Sequence, residues 1–513
     1  MIRVALKGLA GRKFRALLTA FAVVLGVAMV SGTYVLTDTI KAGFSSVFTT
    51  VYKSTDAVIT GRSAIGGSGD NGGGVPSFDA SLLAKVRALP GVADASGGIA
   101  DQAQLVGRNG KVISTGGAPG LAFSVQPHGD QRFNPLVLTA GRYPDGPDEI
   151  AIDAATASKK HYAVGDTIEA VAHGPVHRYR VVGIVELGGV SSLGGATMAI
   201  FDLQTAQQLF RKQGKLDSIS VGAEPGTTPR QLVSEIEPIL PPTAQVRSGE
   251  QQAAKDTANT AGFTDILQKF LLAFGGIALF VGIFVIANTL SITIAQRARE
   301  FGTLRTLGAT RRQLLSSVIL EGLVIGALAS VVGLFLGLGL AKGLNALFVS
   351  FGIDLPKAGT VFATRTIVIS LLVGILVTLL ASLMPAYRAT RVEPIAAVRE
   401  GSLPPSRLER FGLPVALVTL ALGTGLLAWG AVDSSASSTT RLLAIGVGVV
   451  VVFVGMALLA PKFVPALAST LGAPAARTGV SGSLARDNAM RNPARTASTA
   501  AALMIGLALV TAV

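Results

Sequence analysis

Two apolar runs, residues 266–295 and 314–341, constrain this chain more than any other feature in it. About 20 apolar residues rising about 1.5 Å each span the roughly 30 Å of bilayer hydrocarbon, so either run can cross a membrane. The link between them, 296–313, carries Arg297, Arg299, Arg305, Arg311 and Arg312 against one acid, Glu300. That bias predicts a cytoplasmic link. The link also has local order. Phe301, Leu304 and Leu307 recur at helical spacing and predict a short helix with one apolar face. Gly308 reads as its C-terminal stop. Thr310 with Gln313 reads as a capping box opening the next helix. Arg311 and Arg312 then fall in a first turn, where the macrodipole disfavours cations. These residues leave two readings open: an arginine cluster that only sets topology, or a helix that docks on a cytoplasmic partner.

Charge distribution decides what the basicity is for. The chain has a net charge of +14, half of its residues are apolar and its mean hydropathy is +0.55. Residues 38–265 hold 19 Lys and Arg against 22 Asp and Glu, whereas the remainder holds 25 against 8. The positive charge therefore flanks the apolar runs, where it fixes topology and favours anionic lipid headgroups. Nucleic acid is not an expected partner on that distribution. With no cysteine in the chain, disulfides, thiolate catalysis and Cys-ligated metals are excluded.

Taken in order, the chain reads as an α-helical polytopic membrane protein with an inserted extracytoplasmic α+β domain and a cytoplasmic N-terminus. Residues 1–37 supply an amphipathic inner-surface helix and a first span at about 16–36. That run is longer than a signal-peptide core, and its end is a poor cleavage site. Residues 38–265 form the external domain. Strands are expected at 56–60, 92–99, 148–152, 164–170, 178–185, 217–222 and 243–247, with helices at 79–89 and 228–239 and a Gly/Ser linker at 61–74. Residues 266–400 hold spans two to four. Residues 401–495 hold a linker and spans five and six, at about 413–432 and 441–460. Residues 496–513 begin a further apolar run. Shifted by 480, it repeats Arg15, Thr19, Ala20, Ala22, Gly26, Ala28 and Val30 as Arg495, Thr499, Ala500, Ala502, Gly506, Ala508 and Val510. This predicts the start of a second, duplicated half.

The string Arg-Ala-Arg-Glu-Phe-Gly-Thr-Leu-Arg-Thr-Leu-Gly-Ala at 297–309, followed by Gln313 and a helix carrying Glu321, closely resembles the signature of the FtsX-like (MacB-type) ABC transporter permeases. The string 385–400 resembles that family's tail after the last span of the module. The helix-plus-strand units that flank a strand-rich block resemble the MacB-like periplasmic core domain, with 141–152 and 164–167 similar to its insertion. The resemblance implies a plasma (inner) membrane permease whose coupling helix, about 297–308, docks on an ABC ATPase carried by a separate chain. It assigns docking to Arg297, Arg299, Glu300, Gly302, Arg305, Leu307 and Gly308. It further implies a second permease half or a homologous permease as partner, and bellows-like motion of the external domains.

No Gly-x-x-x-x-Gly-Lys-Ser/Thr string occurs, so no phosphate cradle, nucleotide or other cofactor is expected in this chain. His173 and His177 are spaced i, i+4, but Gly174-Pro175 between them predicts a hairpin turn. Asp145, Asp148 and Glu149 read as a turn entering a strand. Gly333, Gly337 and Gly339 read as sites of close helix packing. Glu321 lies about two turns into span three. An acid there is either functional, or it snorkels to the inner end or pairs with Arg311, Arg312 or a basic residue of the N-terminal helix. Asn288 is expected to hydrogen-bond between helices. The expected function is ATP-driven export or extraction of a hydrophobic substrate, lipoprotein or peptide. The rival is a non-transporting mechanotransmission or sensing complex that activates an external hydrolase or signalling partner. A membrane-anchored ectoenzyme is the third and weakest class, for want of a nucleophile motif or metal cluster.

Overall fold

The computed structural model describes residues 13–62, 76–113, 119–356, 359–390, 412–433, 438–476 and 479–491, together with 496, 497 and 500. The N-terminal stretch 1–12, most of the Gly/Ser linker, the tail string beyond residue 390 and nearly all of 496–513 lie outside the described residues. The chain divides into two compact units. Val35–Gln268 with Ala341–Phe362 form one, here the external unit, and Met1–Tyr34, Lys269–Leu340 and Ala363–Val513 form the other, the helical unit.

The external unit has two lobes. The first is a four-stranded antiparallel sheet in the order β14 (Ala244–Ser248), β1 (Ala57–Gly61), β13 (Ser218–Ala223), β3 (Val92–Gly98). Alternation sends Ala57 and Ile59 of β1, and Ile219 and Val221 of β13, to one buried face. Helices α2 (Ser81–Arg87) and α5 (Pro229–Ile236) cover that face with Leu82, Val86, Leu232 and Ile236. Helix α5 starts where it does because Thr228 and Gln231 form a reciprocal capping box and Pro229 opens the first turn. A short ribbon of β2 (Phe78–Asp79) and β12 (Lys215–Leu216) lies at the margin.

The second lobe is strand-rich. It contains β4 (Ala100–Gln102), β5 (Gln104–Val106), β6 (Leu121–Val125), β7 (Leu136–Gly141), β8 (Glu149–Asp153), β9 (Thr167–Val171), β10 (His177–Leu187) and β11 (Met198–Asp202). They pair in the order β4-β6-β11-β8-β10-β9-β5, with β7 also on β10. Strand β10 serves three partners by using both edges: residues 180–185 pair β8 on one edge, while 177–180 pair β9 and 183–187 pair β7 on the other. Two short helices, α3 (Ala154–Lys160) and α4 (Leu203–Leu209), each follow a strand whose last residue, Asp153 or Asp202, accepts a hydrogen bond from the helix's first turn. Every strand and helix expected in 79–248 has a counterpart. Helices α3 and α4 and strands β2, β4, β5, β6, β7, β11 and β12 were not expected, because segments this short carry a weak period and stand out only where turn residues bound them.

Two helices differ from expectation in length. Helix α1 runs unbroken over Lys13–Val51, and α6 over Gly249–Gln296, so residues 38–51 and 249–265 are helical. The polar residues that read as a domain start are held in place. Lys41 Nζ lies 2.6 Å from Asp265 Oδ1, and the Tyr52 hydroxyl donates to Asp256 Oδ2 at 2.7 Å. Helix α6 starts early because Ser248 and Gln251 cap it reciprocally.

The helical unit holds α7 (Ala298–Thr306), α8 (Arg311–Ser350), α9 (Thr364–Thr390), α10 (Gly412–Val432), α11 (Ser438–Ala476) and α12 (Val480–Arg491). Among the described residues six helices, α1, α6, α8, α9, α10 and α11, are long and apolar enough to cross a membrane. Val23, Val24 and Val27 of α1, Ile286 of α6, Ala329 of α8 and Val377 and Ala381 of α9 form one packed core. Small residues let these helices approach. Thr366, Ser370, Gly374, Thr378 and Ser382 recur every four residues on the buried face of α9. Gly326 of α8 abuts Thr378, and Gly374 abuts Ser330. The hydroxyls of Ser330 and Thr378 satisfy themselves on carbonyls one turn back, at 2.6 and 2.7 Å, so α8 and α9 meet at these positions through van der Waals contact. Gly333 and Gly337 meet α1 at Val27 and Ser31, as their spacing predicts. Gly339 does not: it is exposed, with open space where a Cβ would stand, because it sits on the other face of the helix. Helix α11 extends past the expected end at 460, through Pro461 and Pro465, to Ala476.

Candidate functional site

The short helix expected between spans two and three is α7. Helix α6 ends at Gln296, and Arg297 caps α7 with backbone angles outside the helical range, so the chain turns there. Phe301 faces inward and is buried with Leu314 and Val318 of α8 and Ala386 of α9; Leu304 and Leu315 pack beside them. At the other end Gly308 adopts φ +97°, a left-handed conformation that favours glycine. The amide of Ala309 donates to the carbonyl of Leu304 at 2.9 Å, closing the helix. The Thr310–Gln313 capping box that opens α8 is present, with bonds of 2.9 and 3.3 Å.

Arg297 is the anchor. Its Nη1 donates to both Glu321 carboxylate oxygens, at 2.9 and 3.1 Å, and its Nε donates to Glu300 Oε2 at 3.1 Å. Its guanidinium also sits 5.0 Å above the Phe301 ring. The Arg297 and Glu321 side chains are 10% and 11% exposed, whereas that of Glu300 is 57% exposed. Glu321 is thus neutralised, but not by any of the residues the sequence offered. Arg311 and Arg312 are exposed, and the partner comes from the far side of α7. The pair is 24 residues apart, beyond the reach of helical periodicity.

The docking residues assigned from the resemblance therefore divide. Arg297 and Gly302 are buried, Arg305 is half-buried, and Glu300, Leu307 and Gly308 are exposed. Leu307 is 79% exposed. It does not join the apolar face, because α7 ends one residue earlier and the chain turns away. The side chains of Arg299 and Asn288 lie outside the described residues. What α7 presents outward is a ridge of Glu300, Thr303, Thr306 and Leu307, held from behind by an ion pair and an aromatic wedge.

The remaining candidates are structural. His173 and His177 flank the β9–β10 turn, and no helix joins them. Glu149 accepts hydrogen bonds from Arg142 and Arg180 where β8 begins. Asp145 faces His128 at 2.9 Å, in the open.

Residues 272–394 match the FtsX-like permease C-terminal family, and residues 16–239 match the MacB-like periplasmic core domain. A Mycobacterium tuberculosis protein described as an uncharacterized ABC transporter permease is 29% identical over 388 residues, covering 74% of this chain and 44% of its own length. An uncharacterized ABC transporter permease of Methanocaldococcus jannaschii is 26% identical over 223 residues, 43% of this chain and 55% of its own length. The macrolide export ATP-binding/permease protein MacB of Chlorobaculum tepidum is 23% identical over 417 residues, 77% of this chain and 60% of its own length. The chain spans about half the length of these relatives. The crystal structure of the periplasmic region of MacB from Actinobacillus actinomycetemcomitans aligns with 39% of this chain and 91% of its own, at 12% identity and a TM-score of 0.29.

Proposed function

For a chain that joins an FtsX-like permease region to a MacB-like periplasmic core domain, as ABC transporter permeases of that kind do, we propose the role of permease subunit in an ATP-driven machine of the plasma membrane. The N-terminus and α7 face the cytoplasm, and α7 docks on a separate ATPase subunit. The residues in direct contact are Glu300, Arg305, Leu307 and Gly308; Arg297 acts from behind, by holding the helix. Residues 266–400 act as the permease core and 38–265 as the external domain. ATP-driven closure of the ATPase pushes α7, and the helices bolted to it carry that motion to the external domain. The work done is export or extraction of a hydrophobic substrate, lipoprotein or peptide, with a second permease half or a homologous permease completing the assembly.

One observation carries this reading: α7 is fixed on its inner side by Phe301 and the Arg297–Glu321 pair while its outer ridge stays exposed. A loop that only set topology would need charge and no such mounting. The test is co-purification of the full chain with the candidate ATPase, comparing the parent with Glu300→Lys plus Arg305→Glu. Loss of binding and of ATPase stimulation, with membrane insertion retained, is the expected result. Equal binding by both forms would reduce 297–308 to a topogenic loop.

The filled core of α1, α6, α8 and α9 favours keeping the second reading, mechanical signalling to an external hydrolase or sensor. A packed helix core transmits force without offering a path through itself. Reconstituted vesicles separate the two, since only a transporter moves or extracts a substrate there.

A further inference from the structure

The external unit passes between its lobes twice. Gly98–Ala100 leads out from β3 to β4, and residues 210–217 lead back from α4 to β13. A buried ionic cluster sits on both crossings. Lys212 Nζ lies 2.7 Å from Asp101 Oδ2 and 2.7 Å from Asp217 Oδ2. The Lys212, Asp101 and Asp217 side chains are 13%, 13% and 4% exposed.

The two carboxylates belong to different lobes. Asp101 is in β4 of the strand-rich sheet, and Asp217 immediately precedes β13 of the four-stranded sheet. Asp217 grips the outward crossing as well. Its Oδ2 accepts from the Ala100 amide at 3.0 Å, its own amide donates to the Gly98 carbonyl at 3.0 Å, and its Oδ1 accepts from Ser77 at 2.6 Å. Asp101 Oδ1 also faces His173 Nε2 at 3.4 Å. The return crossing reverses sharply, with Arg211 at φ +55° and Gly214 at φ +67°, which sets Lys212 between the acids.

Each lobe has its own apolar core. Beside the crossings a cavity of about 310 Å³, lined by Gly98, Ala100, Phe123, Leu193 and Ser218 among others, leaves room for the lobes to shift. Apolar contacts also join the lobes, since Leu203 packs against both cores and the Phe133 ring lies beside Gly222; Lys212 adds a charged link to them. Burial by itself would raise Asp101 and lower Lys212. The bond between them, with that of Asp217 to Lys212 and that of the Gln102 amide to Asp101, outweighs it, so the carboxyl is held below its ordinary value and the ammonium above its own.

We infer that Lys212 is a positioning residue, a pin that makes the two lobes one mechanical body. With its ammonium in place, force reaching one lobe is delivered to the other. Without it, two buried carboxylates from opposite lobes face each other and repel. This stands apart from the docking role of α7, and its test does not depend on an ATPase.

The chain has no cysteine, so Val176→Cys in the β9–β10 turn and Ser234→Cys on α5, both exposed, can carry spin labels on the full-length protein. Double electron–electron resonance then reads the interlobe distance. The parent gives one narrow distribution. Lys212→Met shifts it or widens it about twofold. Asp101→Asn, which leaves the backbone bonds of Asp217 intact, widens it less. A folded Lys212→Met with the parent's distribution overturns the inference. If Lys212→Met does not fold, Asp101→Asn decides: an unchanged width overturns the pin, and a widened one supports it.

Discussion

Removing the Glu321 carboxylate tests how α7 is held. In Glu321→Ala, Arg297 stays buried and loses both of its bonds to that residue. Truncating one partner of a buried ion pair costs about 3–5 kcal/mol, because the other charge is left uncompensated. Arg297 keeps Glu300, whose side chain is 57% exposed, so that surviving pair is screened and returns at most about 1 kcal/mol. The expected net loss is about 3 kcal/mol, and at about 1.4 kcal/mol per factor of ten the balance shifts about a hundredfold toward a detached α7. Hydrogen exchange of the 297–308 amides in the full chain, reconstituted in bilayers, reads that shift directly. Stimulation of the ATPase falls in parallel. The double replacement Arg297→Met with Glu321→Leu is the control, since a buried pair exchanged for apolar groups of similar volume is often neutral or stabilising. It restores slow exchange. Parent-like exchange in Glu321→Ala, or a double variant no better than the single, would refute the anchoring role.

Gly374→Val drives a branched side chain into Ser330 and Val27; the expected loss is about 1–3 kcal/mol, seen as a lower melting temperature in detergent, whereas Gly339→Ala, with open space around it, leaves that temperature unchanged. The hydrogen bond from Arg142 is the largest influence on Glu149 and, despite some burial, holds its pKa at about 2, below an ordinary value of 4.5. A depressed acid stabilises the fold above its unfolded value and loses that contribution as pH falls, so stability drops between about pH 4.5 and 2, and Glu149→Gln flattens this limb of a melting-versus-pH series. Thr228→Ala breaks the capping box of α5 and costs about 1 kcal/mol, measured by denaturant unfolding.

The sequence by itself determined six apolar helices long enough to cross a membrane, among the described residues, and the α+β region between the first two. It also determined α7 with its glycine stop and the capping box of α8. Each rests on signals contained in one short window: apolar length, charge bias, a 3.6-residue or two-residue period, or a cap four residues long. The tertiary structure decided what those elements do to one another. Helices α1 and α6 run past their apolar segments because Lys41, Tyr52, Asp256 and Asp265 find partners on the neighbouring helix, and a polar residue in sequence carries no mark of being paired. Leu307 fits the period of α7 and still points outward, because the helix ends before it. Glu321 is answered by Arg297 rather than by the nearer arginines, and Lys212 brings together acids 116 residues apart that no window contains. Burial and pairing of charges depend on which distant surfaces meet, and that depends on packing of the whole chain rather than on any stretch of it.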